Sequence, residues 1–179
     1  MAKFIYMKII FLILMLACTP SSDDAFKTEA QGYLKPFKSE LMGALNKGME
    51  EKGLVEAMHS CNKLAPEIQK KFDQEKLSLG RTSHKIRNPK NIPAEWMKPL
   101  IEEFKNSTAA NPLEGKVVKG PGYMAYVEPI YVKAICLTCH GKDVPAALKE
   151  GIEKQYPGDQ ATGFSEGEFR GLFWVRKEL

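Results

Sequence analysis

Two runs of apolar residues at helical spacing occupy the first half of the chain. Between Ala25 and about Lys52, apolar side chains recur every three to four positions, which predicts an amphipathic helix kinked or restarted at Pro36 and ended near Gly53. A second run follows at Leu54, Met58, Cys61, Ala65, Ile68 and Phe72. It predicts a second helix, with Cys61 in the middle of its buried face and a bend at Pro66.

The second half of the chain has the pattern of short strands separated by turns. Residues 77–89 indicate a short strand closed by turn signals, and Pro93 opens a third helix that reaches about Asn106. The later predicted elements are a short strand at 116–119, one or two strands over 123–128 and 130–135 broken at Pro129, a helix at 145–156 and a strand at 171–175. This order predicts an α+β fold, in which helices pack on one side of an antiparallel sheet.

One motif carries the candidate chemistry: Cys136-Leu137-Thr138-Cys139-His140, followed by Gly141. Covalent attachment of a c-type haem requires this pattern, because each sulfur adds to one haem vinyl group and the adjacent imidazole reaches the iron. Half of a zinc site or a CxxC redox pair has the same spacing, so the motif alone leaves these alternatives open. The first expectation is one covalent haem c per chain.

The start of the chain predicts export, which haem attachment to such a motif requires. Lys3 and Lys8 precede a short apolar run typical of a signal peptide, although an uncleaved apolar helix is an alternative. The run ends in Met15-Leu16-Ala17-Cys18, which resembles a bacterial lipobox but departs from it at its first two positions, so ordinary cleavage nearby is another alternative. We expect a signal peptide over 1–17, a lipidated Cys18, a flexible tether over 18–24 and one domain over 25–179.

The net charge that remains after signal-peptide removal limits the classes of partner. Removal of residues 1–17 leaves 24 Lys and Arg against 22 Asp and Glu, which argues against a nucleic-acid partner. The expected location is the periplasmic or cell-surface side of a bacterial membrane, with contact to the membrane through the lipid anchor alone. The expected partner is a redox protein, whose identity the sequence leaves open together with the oligomeric state.

Cys61 is the cysteine left over once lipid and haem have taken the other three. It is either a buried, inert thiol or the second axial ligand of an iron that His140 alone leaves five-coordinate. On a continuous helix His59 is turned by about 200° from Cys61, so we expect it to face solvent.

Other residues are candidates for contact with the haem. His84 and then Met124 are rivals of Cys61 as the second iron ligand, although methionine in an aromatic strand is usually a packing residue. Arg81 and Arg87 are candidates for pairing with the haem propionates, and the alternative is that they form a solvated edge.

An ordered set of short motifs resembles the PAS-like haem c-binding domain family. The set is Cys61-Asn62 with Ala65-Pro66, Gly80-Arg81-Thr82-Ser83, Arg87-Asn88-Pro89-Lys90-Asn91, Trp96, Pro129-Ile130, the haem motif with Gly141, Gly163-Phe164 and Arg170-Gly171. Members are exported bacterial proteins or periplasmic parts of sensor kinases. The resemblance covers nearly all of the mature chain and implies a PAS-like antiparallel sheet with flanking helices. It also implies iron held by His140 and an axial cysteine, Cys61, and it places His84 where an aliphatic residue is expected.

Three functions are compatible with such a centre. A thiolate opposite an imidazole stabilises Fe(III), so the first is a low-potential one-electron carrier. The alternative is a redox or gas sensor in which NO or CO displaces Cys61; because the sequence ends four residues after Val175, we expect such a signal to pass to a partner. A haem enzyme acting on sulfur compounds or peroxide needs Cys61 to dissociate and an acid or base such as His84 or Glu128, and the closed coordination disfavours it.

Overall fold

The computed structural model describes residues 21–179, except for the side chains of residues 59–61. The predicted signal peptide, Cys18 and the first part of the predicted tether lie outside the described residues, as do the side chains of His59 and Cys61. The tether as predicted reaches residue 24, but residues 22–24 already belong to the first helix. Ser21 caps that helix, because its Oγ accepts a hydrogen bond from the backbone N–H of Asp24 at 3.1 Å.

A helical hairpin forms the N-terminal part of the domain. Helix α1 spans Ser22–Phe72 and is interrupted at Gly53, where φ is 76° and ψ is 175°. The chain reverses at this glycine, so the two arms of α1 lie side by side, with the rings of Phe37 and Phe72 5.8 Å apart. The predicted helix boundary near Gly53 is confirmed, because only glycine adopts this positive φ at little cost.

The two prolines of α1 lie within helical backbone. Pro36 was expected to kink or restart the first helix and Pro66 to bend or restart the second, yet Gly53 holds the one set of non-helical dihedrals inside α1. The predicted restarts are therefore wrong, whereas the kink at Pro36 and the bend at Pro66 stay predictions. Neighbouring Phe37 and nearby Ile68 are 1% and 6% exposed, and this tertiary packing outweighs the local preference of proline.

A four-stranded antiparallel sheet follows the hairpin. Its strands are β1 Leu77–Thr82, β2 Lys116–Gly120, β3 Tyr123–Tyr131 and β4 Phe169–Glu178, in the order β1-β4-β3-β2. The predicted break of β3 at Pro129 does not occur. Pro129 lies opposite Leu172 of β4, beyond the part of β3 that pairs with β2, so this stretch of β3 is locally an edge and tolerates proline.

Helices cover both faces of the sheet. Phe173 and Val175 of β4 pack towards α1, whereas Leu172 and Trp174 pack on the opposite side. That second face is covered by the 3-10 turn Glu95–Met97 and by α2, Lys98–Phe104. The α+β class with an antiparallel sheet and flanking helices is confirmed. The expectation of helices on one side is wrong, because alternate strand residues are apolar on both faces.

Two short helices lie between β3 and β4. Helix α3, Leu137–His140, is a single turn that contains the last four residues of the haem motif. Helix α4 spans Ala146–Gln155, within one residue of the predicted helix at each end. Leu148 and Ile152 of α4 pack against Met58 in the second arm of α1. In the described range 21–179, every helix is too short or too polar to pass through a bilayer.

Candidate functional site

The haem motif begins five residues after the end of β3, at the last residue of a 3-10 turn, Ala134–Cys136, and continues through α3. The side chains of Cys136 and Cys139 are both of intermediate exposure. Residues three apart on a helical turn share a face, so the two sulfurs are presented to the same side. Gly141 follows the last residue of the turn. A larger residue would not fit at this position, because a Cβ there would lie 2.5 Å from the carbonyl oxygen of Leu137.

The imidazole of His140 is fixed in one tautomer. Its Nδ1 donates a hydrogen bond to the carbonyl oxygen of Ala161 at 2.6 Å, which leaves the lone pair on Nε2. Burial, followed by the positive charges of Arg170 and Arg87, lowers the pKa of His140 well below its usual 6.5. The side chain is therefore neutral at neutral pH, in the form that binds a metal ion.

A buried ion pair holds this arrangement in place. The guanidinium of Arg87 binds both carboxylate oxygens of Asp159, at 3.1 and 3.0 Å, and also donates to the carbonyl oxygen of Cys139 at 2.7 Å. Asp159 Oδ1 in turn accepts from the backbone N–H of Ala161 at 3.0 Å. Arg87, Asp159, Ala161 and His140 thus form one network that links the motif to residues 159–161.

The side chains of this pair are not solvated. Those of Arg87 and Asp159 are 13% and 6% exposed. The alternative that Arg87 forms a solvated edge is therefore wrong, because its guanidinium is engaged inside the domain. Its pairing with a haem propionate stays a prediction.

Phe164 contacts the other side of His140. Its backbone N–H donates to the carbonyl oxygen of His140 at 3.0 Å, and the two rings meet edge to face at 6.5 Å. Two cations lie over the phenyl ring, the Lys85 ammonium at 4.7 Å and the Arg170 guanidinium at 5.1 Å. His140 is therefore held between a backbone acceptor and an aromatic ring.

Positive charge surrounds the imidazole. Burial lowers the pKa of Arg170 to about 10, with Arg81 and Arg87 adding to the shift, so its guanidinium stays protonated at neutral pH. Arg170 is held by Ser83 Oγ at 2.7 Å. The charges of Arg170, Arg87 and Arg81 all act to lower the pKa of His140. The electrostatic field at the motif therefore favours an anion.

The second arm of α1 passes beside the motif. Met58, one turn before Cys61, packs in the same apolar cluster as Cys139. Ala65, one turn after Cys61, lines a cavity of about 150 Å³ that Arg81 also lines. The backbone at residue 61 thus lies between Met58, whose cluster includes Cys139 of the motif, and the cavity that Ala65 and Arg81 line.

His84 lies in the loop after β1. Its ring is stacked on Phe169 at 5.7 Å and meets Phe164 edge to face at 5.9 Å. Phe164 is the ring that contacts His140, so the two histidines share a neighbour. Partial burial, then the charges of Arg170 and Lys85, lowers the pKa of His84.

Met124 and Glu128 face α1 rather than the motif. Met124 packs against the core cluster under α1, seven residues before the end of β3 and thus about 23 Å along the strand from Tyr131. Glu128, a candidate acid or base, forms an ion pair with Lys38 of α1. The packing role considered for Met124 agrees with this position.

Sequence reasoning missed the acceptors that orient the site. Asp159 and Ala161 carry no motif of their own, and the one local signal is the turn at Pro157-Gly158 just before them. Phe164 and Arg170 belong to the motif set given above, but the sequence assigns them no role. Their roles arise from contacts with His140 and Ser83, each more than 20 positions away.

The fold and the site define a class of protein: an α+β domain in which one turn, placed at the end of a sheet strand, presents two thiols and a neutral imidazole within a positively charged setting. The chain belongs to the Tll0287-like family, whose model matches residues 19–177. Among solved structures it is similar to the crystal structure of the cyanobacterial heme-protein Tll0287, with a TM-score of 0.60 and 23% identity over 82% of this chain and 91% of that one. No curated protein matches the chain.

Proposed function

We propose that this protein is an exported c-type cytochrome that carries one covalent haem and acts as a low-potential one-electron carrier. The observation that carries the proposal is the hydrogen bond of 2.6 Å between His140 Nδ1 and the carbonyl oxygen of Ala161. It fixes the neutral tautomer and directs Nε2 away from the network, which is how proteins orient a histidine ligand of a metal. The similarity to a structure described as a heme-protein supports the same cofactor.

The residues around the motif fit a haem c. Cys136 and Cys139 are the thiols that would form the two thioether bonds, and both are accessible enough to react. Haem carries two propionates, and the positive charges of Arg81 and Arg170 suit such carboxylates. Bound haem supplies one-electron exchange between ferric and ferrous iron.

Cys61 is the proposed second ligand of the iron. Met58 belongs to the apolar cluster against which Cys139 packs, so the second arm of α1 lies beside the motif, and Cys61 lies one helical turn further along this arm. A thiolate at this position would favour ferric iron and a low potential. The position of Met124 under α1 favours Cys61 over this rival, whereas His84 shares the neighbour Phe164 with His140 and stays the rival to test.

A redox or gas sensor is the second candidate, favoured by one feature of α1. Gly53 is the interruption between its two arms, so the second arm has a hinge about which it can shift if Cys61 leaves the iron. The enzyme alternative has less support, because Glu128, one of its two candidate acids or bases, is paired with Lys38. Export and a lipid anchor at Cys18 remain part of the proposal, since haem is attached to this motif outside the cytoplasm.

The test is expression together with a haem-attachment system, followed by denaturing electrophoresis and staining for haem peroxidase activity. We expect haem to stay with the chain after denaturation and acid-acetone extraction. Cys136→Ala and Cys139→Ala should each keep a single thioether, visible as a shifted pyridine haemochrome band. A wild-type protein that loses all haem on extraction would contradict the proposal, and Ser165→Ala is a control outside the motif.

A further inference from the structure

A cavity of about 180 Å³ lies at the edge of the sheet, on the face covered by α2. It is bounded by Ser78 of β1, Trp174 and Arg176 of β4, Trp96 of the 3-10 turn, and the loop that contains Lys90 and Ile92. Two tryptophans line this cavity, whereas Phe37 is the aromatic residue that lines the smaller cavity beside α1. Among the described residues that line it, Arg81 is the one that the proposed electron-carrier function also uses.

Two indole rings form the apolar wall of the cavity. Trp96 and Trp174 meet edge to face, with ring centroids 6.4 Å apart and an interplanar angle of 89°. Trp174 lies across Gly80, its partner on β1, where a Cβ would come within 2.9 Å of the indole. The glycine therefore lets the indole cover the strand and shape this wall.

The polar side of the cavity is basic. Arg81, Lys90 and Arg176 line it, whereas none of its lining residues among the described part of the chain is acidic. Glu178 lies 2.9 Å from Arg176 and offsets its charge. Arg81 and Lys90 also line the cavity beside α1, so these two side chains lie between the two cavities.

The loop that closes the cavity is held in place before any ligand arrives. Thr82 Oγ1 donates to the carbonyl oxygen of Asn91 at 2.8 Å, and Asn88 Oδ1 accepts from the backbone N–H of Lys90 at 3.0 Å. Ile92 is 64% exposed, which leaves a large apolar side chain at the mouth. A site with preformed apolar walls and a few placed polar groups is the usual form of a small-molecule pocket.

We propose that this cavity binds a small planar organic anion, of the class of aromatic carboxylates. The two indoles accept the ring of the ligand, and the basic side, with the amide of Gln69, accepts its carboxylate. The site is separate from the thiols of the haem motif, so it gives the proposed cytochrome a second ligand.

The experiment is a titration of the ¹⁵N-labelled ferrous haem protein with benzoate, followed by nuclear magnetic resonance. The chain has two tryptophans and both line the cavity, so the two indole N–H signals report on it directly. We expect both signals to shift and to saturate with benzoate. Benzylamine, which carries a positive charge, should leave them in place.

The variant that tests the site is Ile92→Glu, because residue 92 is exposed and lines this cavity but not the one beside α1. A carboxylate at the mouth should weaken benzoate binding by about tenfold. Leu113→Glu, 40% exposed and elsewhere on the surface, is the matched control and should bind as the wild type does.

Three results would overturn the inference. The first is that the indole signals do not saturate with benzoate. The second is that benzamide or inorganic sulfate produces the same saturable shifts as benzoate. The third is that the Ile92→Glu and Leu113→Glu variants bind benzoate with equal affinity. Haem content, measured on each sample before titration, is a separate readout, so failure of this site is distinguishable from failure of haem attachment.

Discussion

His140 and Ala161 are joined by a hydrogen bond of 2.6 Å from the imidazole Nδ1 to the backbone carbonyl oxygen. The acceptor belongs to a segment that Asp159 ties to Arg87, and Arg87 in turn binds the carbonyl oxygen of Cys139. The orientation of the proposed iron ligand therefore depends on a buried ion pair that also binds the backbone of Cys139. This dependence yields the first prediction.

Asp159→Asn should lower the free energy of unfolding by about 3 kcal/mol, because it leaves the buried Arg87 guanidinium without its counter-charge. Urea denaturation of the haem-loaded protein, monitored by circular dichroism, measures the change. The same variant should broaden the ferric electron paramagnetic resonance signal, since the acceptor of His140 is less firmly held. A merely structural role elsewhere in the fold would leave that signal unaltered.

The control for this variant is Glu40→Gln. Glu40 binds Lys71 at 3.2 Å, but both side chains are well exposed. Exposed pairs contribute at most about 1 kcal/mol, so this change should have a small effect. Equal losses in the two variants would show that the burial of the Arg87–Asp159 pair is not what matters.

Cys61→Ala should change the visible and electron paramagnetic resonance spectra of the ferric protein away from those of low-spin iron with thiolate and imidazole ligands. The reason is that the alanine removes the proposed thiolate donor while His140 stays in place. His84→Ala and Met124→Leu are the matched variants, and both should keep the wild-type spectrum. An unaltered Cys61→Ala spectrum, with a changed one for either of the others, would transfer the ligand role to that residue.

The ferrous protein separates a carrier from a sensor. If both axial positions stay filled after reduction, CO and NO should bind slowly or not at all, as an electron carrier requires. Stopped-flow mixing of dithionite-reduced protein with CO measures the rate. Rapid binding would instead favour displacement of Cys61 and the sensor function, and Cys61→Ala, with its open position, is the positive control for fast binding.

Gly53→Ala should destabilise the protein by about 1–2 kcal/mol, because φ at this position is 76° and an alanine there is strained. Gly43→Ala is the matched control within the same helix. A Cβ at residue 43 meets nothing within 4 Å, so this change should stabilise the helix by about 0.5–1 kcal/mol. Thermal unfolding followed by circular dichroism compares the two variants. If both change the melting temperature in the same direction, the strain expected for alanine at residue 53 is contradicted.

The success and failure of the structural predictions follow from the range of the interactions involved. The helix end at Gly53 was predictable because positive φ is a local property of glycine. The restart expected at Pro36 and the break expected at Pro129 were wrong, because packing of the α1 arms and the local edge of β3 make both prolines tolerable. Such tertiary effects leave no mark in the local pattern.

The sequence by itself determined the elements and the chemistry that depends on near neighbours. The periodicity of apolar residues predicted α1, α4 and the strands, and the spacing of Cys136, Cys139 and His140 predicted the attachment site, since these patterns act over one or two turns of chain. The tertiary structure alone decided that α1 and α2 cover opposite faces of the sheet. It also selected Ala161 as the acceptor that orients His140 and surrounded this histidine with arginines from distant segments, because hydrogen bonds and charges act through space rather than along the chain.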